Sequence, residues 1–242
     1  ITVDAGANLS APIGLAHTFA EGQGSMAVSR HSIEIGSGAS VDIVDRHAGP
    51  DGVSYLSSSI VDLTIGEGAS VNYTLAIEEG DTAQRLARLR VTLARNAKLN
   101  LFVLNAGGKL VRQELDFVMN GEGADLVIAG ANLIGGEAHI DVTSRISHFA
   151  PSTTASEIFR NVATGRGRGV FQGQINVAQP AQLTDARMAC NTLLLSDDCD
   201  FSAKPELEIF ADDVQCAHGA TVTDLEESYM FYLMARGISE VN

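Results

Sequence analysis

Apolar and polar residues alternate along most of this chain, and small turns punctuate the alternation at regular intervals. Residues 32–44 have apolar side chains at Ile33 and Ile35, a Gly-Ser-Gly corner, then apolar side chains at Val41 and Ile43. A period of two puts alternate side chains on one face of an extended strand, so each run predicts a strand with one buried face. The same sentence of residues returns at 61–73, where the corner reads Gly-Glu-Gly, and in weaker form at 91–101 and 114–127. Successive copies lie roughly 25–30 residues apart, within the period of solenoid repeats. One such unit cannot bury its apolar face alone, so the copies must stack on one another. The pattern therefore predicts an all-β fold, a right-handed parallel β-helix, with strands from about residue 15 to about residue 215. Ile35, Ile65 and Leu93 occupy matching positions and are expected to stack in neighbouring coils. A left-handed hexapeptide helix is the competing solenoid, because Ile35 and Val41 are six residues apart. It needs many consecutive hexads, and here the pattern stops after about two at each place.

The last stretch changes period. Thr223, Asp224, Leu225 and Glu226 form a capping-box pattern. Leu225, Tyr229, Tyr232, Leu233 and Arg236 then recur at helical spacing, predicting an apolar stripe that needs a cover. Gly237 fits the left-handed position that ends a helix, with Ile238 placed for the accompanying apolar contact. The expected organisation is a β-helical core over residues 1–220 and the start of a C-terminal helical region over 221–242.

Composition narrows what such a solenoid could do. The 242 residues include 45% hydrophobic residues, only 5% aromatic ones and no Trp, while 24 are Gly. Small and β-branched residues suit narrow, regularly stacked coils. Thirty acidic residues against sixteen basic ones leave a net charge of −14, which repels phosphate backbones and anionic membrane surfaces. Nucleic acid and membrane are thus poor partners, and no apolar run is long enough to span a bilayer. Cys190, Cys199 and Cys216 are odd in number and confined to the last quarter, unlike a secreted disulfide framework. A cytoplasmic location is expected. The chain opens on Ile1 with no signal region, and the expectation is a piece of a longer protein.

Familiar catalytic signatures are missing: no phosphate loop, no H-E-x-x-H and no G-x-S-x-G elbow. The Gly-Arg-Gly-Arg-Gly run at 165–169 could cradle phosphate, but the simpler reading is a tight turn with two exposed arginines. The acid pairs Asp197–Asp198 and Asp212–Asp213 suggest a carbohydrate-active β-helix enzyme, a polysaccharide lyase or hydrolase; the plainer account is turn capping by Asp. The sharpest constellation is Cys216 and His218. Two apart in a strand, they share a face, and thiolate with imidazole could bind zinc, copper or iron. The structural alternative is a buried Cys and a hydrogen-bonded edge His. Clusters and zinc take about four protein ligands, so any metal held here would need ligands from another subunit. His17, His31, His47, His139 and His148 are isolated in the sequence and read as structural or surface residues.

Residues 204–221, which contain Cys216 and His218, closely resemble the signature segment of the SufB/SufD family. Residues 168–177, 191–198 and 231–238 resemble further family segments in the expected order, so the match is specific over about 157–240. The His-Gly-Ala-Thr form at 218–221 favours the SufD branch. The resemblance implies a parallel β-helix acting as a scaffold subunit of iron–sulfur cluster assembly, not an enzyme, with SufB and the ATPase SufC as partners. It implies His218 and Cys216 as candidate metal ligands shared with SufB. It implies no cofactor held stably by this chain alone, with iron or a nascent cluster as cargo in the complex. In isolation the last strands, around Lys204 to His218, are expected to pair with a second copy. The family continues into a helical domain that contacts SufC, of which only the beginning is present.

Overall fold

A computed structural model describes residues 1–19, 26–224 and 227–238. Sixteen strands form two eight-stranded parallel sheets, and successive strands alternate between them. One sheet runs β1 (Thr2–Val3), β3 (Met26–Ile35), β5 (Leu56–Ile65), β7 (Gln84–Leu93), β9 (Leu110–Met119), β11 (His139–His148), β13 (Arg168–Val177) and β15 (Asp200–Ile209). The other runs β2 (Ile13–Thr18), β4 (Ser40–Ala48), β6 (Ser70–Glu78), β8 (Lys98–Asn105), β10 (Asp125–Ile134), β12 (Thr154–Ala163), β14 (Asp185–Leu194) and β16 (Gln215–Asp224). Each coil contributes one strand to each sheet, which is the parallel β-helix the repeats predict. Strands begin at Thr2 and continue to Asp224, so stacking extends beyond the 15–215 region at both ends.

The quoted repeats fall on the corners where the chain passes from one sheet to the other. Each of these corners needs a residue in the left-handed region: Gly38, Gly68, Asn96, Gly123, Ser152 and Leu183 in turn. Glycine takes that conformation freely, and Asn96 tolerates it better than most residues. The corners also bond to one another: Gly38 N donates to Glu67 O, Gly68 N to Arg95 O, and Asn96 N to Glu122 O. This ladder of turns holds the coils in register. Ile35 pairs with Ile65 and Ile65 with Leu93, the expected stack, which continues through Met119, His148, Val177 and Ile209.

The interior lies between the sheets and is mostly aliphatic. One column is polar. Asn105 Nδ2 donates to Asn132 Oδ1 at 2.8 Å, Asn132 Nδ2 to Asn161 Oδ1 at 2.7 Å, and Asn161 Nδ2 to Thr192 Oγ1 at 2.9 Å. Parallel register aligns these residues on successive strands, so the side-chain amides chain together as backbone groups do. In one coil glycine makes room for an aromatic ring: a Cβ on Gly130 would lie 2.1 Å from the Phe159 ring. Outside, arginines and acids alternate across neighbouring strands, as in Arg30–Asp62 and Arg88–Asp116.

After β16 comes α1 (Glu227–Ala235). Thr223, the expected N-cap, is still in strand and donates to Asp224 O; Leu225 and Glu226 lie outside the described residues. The helix ends as expected, with Ile238 N on Leu233 O, Gly237 N on Met234 O and Gly237 at φ 85°, a Schellman closure. The single apolar stripe is not found. Tyr229, Phe231, Tyr232 and Met234 are all exposed, while Met230 is partly buried, so apolar residues surround the helix.

Candidate functional site

The C-terminal end of the solenoid is open. Among the described residues β15 pairs only with β13, and β16 only with β14, so each presents a ten-residue edge that no described strand covers. Pro205 sits within β15, where its missing N–H is tolerated because the strand is an edge. Ile209, Phe210 and Val222 are exposed here, although the positions beneath Ile209 and Val222, Val177 and Thr192, are buried.

Cys216 and His218 lie on β16, in register with Ala186 and Met188 of β14. Both of those partners are buried, so Cys216 and His218 continue the inner face of the solenoid at its open mouth. Cys216 is partly covered and His218 is exposed. Burial pushes the Cys216 thiol pKa up, which keeps it protonated at neutral pH until a metal or cationic neighbour favours the thiolate. Among the described residues, these two are not joined by a third His, Cys, Asp or Glu within ligand distance.

The other two cysteines are deeper. Cys190 is fully buried, receives Asn161 Nδ2 at 3.3 Å, and burial raises its pKa to about 11. Cys199 is buried and donates to Ser196 O at 2.9 Å. All three are free thiols. Met230 of α1 approaches this end beside Leu194, Leu195 and Cys199, around a cleft of about 710 Å³.

The remaining candidates resolve in several ways. Gly165 takes φ 66° in a turn with Arg166 and Arg168 exposed, a tight corner. Both aspartate pairs are exposed, on the connections between strands. The histidines depart from expectation. Isolated in sequence, His17, His31 and His47 are brought together by coil stacking at the N-terminal end. His17 and His47 are register partners with rings stacked at 4.1 Å, and His31 meets His17 edge-on at 5.1 Å. Sequence reasoning also missed Asp45, Glu79 and Arg85, which are buried around them. The one available signal was the separation of His17 and His47, which matches one coil of the repeat, hidden because β2 carries no clear repeat.

No helix among the described residues is long and apolar enough to cross a membrane. Residues 18–242 match the family described as the SUF system FeS cluster assembly SufBD core domain. The iron–sulfur cluster assembly protein SufD of Escherichia coli is 28% identical over 211 residues, covering 87% of this chain and 50% of that protein. A SufBD family protein of Synechocystis is 27% identical over 191 residues, 79% of this chain and 42% of its own length. The chloroplastic protein ABCI7 of Arabidopsis thaliana is 28% identical over 203 residues, 83% of this chain and 43% of its own. The chain thus spans half or less of the length of these relatives. The family match over residues 18–242 takes in nearly the whole β-helix and its open end, and the chain belongs to the SufBD core family of iron–sulfur cluster assembly proteins.

Proposed function

We propose that this chain is the core of a SufD-type scaffold subunit that catalyses no reaction itself and pairs through its open end with SufB, in a complex that also holds the ATPase SufC. The observation that carries the reading is the inner-face position of Cys216 and His218 beside two unpaired edges. Unpaired N–H and C=O groups template strand addition. A second β-helix docking there would continue both sheets and bring its own side chains over the mouth. His218 would then lend an imidazole to iron or a nascent cluster, the cargo of the complex, with Cys216 as the secondary donor. The partner supplies the remaining ligands, in keeping with the absence of a third one nearby among the described residues. Three unpaired cysteines suit a reducing compartment such as the cytoplasm.

The test is His218→Ala in the full-length protein, co-purified with SufB and SufC. An exposed side chain contributes little burial, so assembly and thermal stability should hold. Iron and sulfide content of the complex should fall, and Cys216→Ala should lower it less. Wild-type iron and sulfide in the His218→Ala complex would defeat the ligand assignment, and failure of the wild-type chain to co-purify with SufB would defeat the pairing.

A further inference from the structure

The N-terminal end of the solenoid carries a second constellation, six to seven coils away from Cys216 and His218. His17 Nε2, Asp45 Oδ1 and His47 Nε2 lie within 4.8 Å of one another, the one group of three such ligand atoms among the described residues. Asp45 Oδ1 is 3.4 Å from His17 Nε2 and 3.0 Å from His47 Nε2. Neither contact has hydrogen-bonding alignment: Asp45 Oδ1 and His17 Nε2 are buried without a hydrogen-bond partner, and so is Nε2 of the adjacent His31. Asp45 itself is 1% exposed. Buried polar atoms left unpaired are costly, and several converging on one point call for a ligand that satisfies them together.

Charge and access agree with a cation. Buried Arg85 faces two buried carboxylates, Glu79 at 3.3 Å and Asp45, which leaves the cluster one negative charge in excess. The Tyr73 hydroxyl donates to Asp45 Oδ2 at 2.9 Å, so Oδ1 is the carboxylate oxygen left for a cation. A cleft of about 150 Å³, lined by His17, Phe19, His47, Ser57 and Glu79, opens onto the cluster.

We propose that His17, Asp45 and His47 form a binding site for a divalent first-row transition-metal ion, with His31 placed to complete it. Two imidazoles and a carboxylate are a donor set for zinc or iron(II), and not for magnesium or calcium, which take oxygen. The His17 ring is 23% exposed at its side chain and lies 4° from parallel with His47, so ligation requires it to tilt and aim its lone pair at the shared ion. His47 meets Arg85 at both ring nitrogens, Nδ1 to Nη1 at 2.9 Å and Nε2 to Nη2 at 3.0 Å. A neutral imidazole accepts at only one nitrogen, so the arrangement is unsatisfied as it stands. Metal at Nε2 leaves the proton on Nδ1. Arg85 Nη1 then turns to Ser57 Oγ and Glu79 Oε1, each already 3.3 Å away, while Nη2 yields Nε2 to the ion and keeps Ser59 Oγ at 2.8 Å.

Cobalt(II) and zinc(II) are the probes, titrated separately into the purified chain, with visible absorption for cobalt and calorimetry for zinc. The chain carrying both Cys216→Ala and His218→Ala removes the other candidate ligands. It should still bind one equivalent of either ion and gain thermal stability from it. His17→Ala and Asp45→Asn should each weaken binding by about tenfold or more and abolish the stabilisation. His17 is partly exposed, and Asp45→Asn keeps the shape and the Tyr73 contact, so at least one variant reads out in a folded chain. Unchanged binding in either folded variant would overturn the proposal, as would loss of all binding in the Cys216→Ala, His218→Ala chain.

Discussion

Glu157 is fully buried on β12, between Ile128 and Met188 in the inner column that His218 heads. Neither carboxylate oxygen has a hydrogen-bond partner. Burial raises its pKa from 4.5 to about 7, and the nearby Ser144 hydroxyl offsets only part of that. A carboxyl that keeps its proton longer when folded makes the native state bind more protons than the unfolded one between pH 4.5 and 7. Stability attributable to Glu157 is therefore present below pH 4.5 and is lost as pH rises through about 7. The size is about 3 kcal/mol, from 1.36 kcal/mol per pKa unit. His47 and His148, lowered by burial to about 4, act in the opposite sense and lose stability as pH falls from 6.5 toward 4. Glu157→Gln isolates the first effect. Relative to the natural chain, the variant should be more stable at pH 8 than at pH 4.5 by about 3 kcal/mol, measured by urea unfolding at both pH values. An equal difference at both pH values would mean the carboxyl ionises alike in both states.

Each strand of the solenoid is held from both sides except at the ends, so one residue type has a position-dependent worth. Ile65 and Ile209 occupy the same stacked column, but Ile65 is 0% exposed between Ile35 and Leu93 while Ile209 is 41% exposed on the last coil. Ile65→Ala leaves a cavity with neighbours above and below and should cost about 2–5 kcal/mol. Ile209→Ala should cost less than about 1 kcal/mol in the isolated chain. Chemical denaturation of the two variants checks this. Similar losses would mean that the last coil is covered in solution. The helix α1 belongs to the same scale. Its closure is local, set by Gly237, whereas its exposed aromatic surface depends on what packs beside it.

For the molecule as a whole, the two ends differ. The N-terminal end begins with a two-residue strand and a buried histidine cluster, and the C-terminal end presents two full edges. Self-association of the isolated chain should therefore use the C-terminal end. Val222 lies there on the inner face, above Thr192 in the asparagine column, and is exposed. Val222→Glu would bury a charge in any end-to-end contact, and the chain already carries a net charge of −14. Sedimentation over a range of concentrations should give a dimer for the natural chain and about tenfold or more weaker association for the variant. A monomer at all concentrations, or association unaffected by the charge, would rule out this end as the contact.

The stacking of coils was legible in the sequence because it rests on local chemistry repeated at a fixed interval. Alternation places Ile35, Ile65 and Leu93 inward, and the Gly-x-Gly corners at 36–38, 66–68 and 121–123 mark where the chain turns. Cys216 and His218 were legible as same-face neighbours because strand geometry alone puts residues two apart on one side. The helix stop was equally local, since Gly237 closes it through its own backbone. Other features needed the tertiary structure. That the shared face of Cys216 and His218 is the inner one follows only from the register with Ala186 and Met188. The meeting of His17, Asp45 and His47 with Arg85 depends on which coil lies on which, and residues about thirty positions apart become neighbours only through strand pairing. Burial likewise decided the protonation behaviour of Glu157, because a carboxylate is ordinary in sequence and becomes unusual only when packing removes its water.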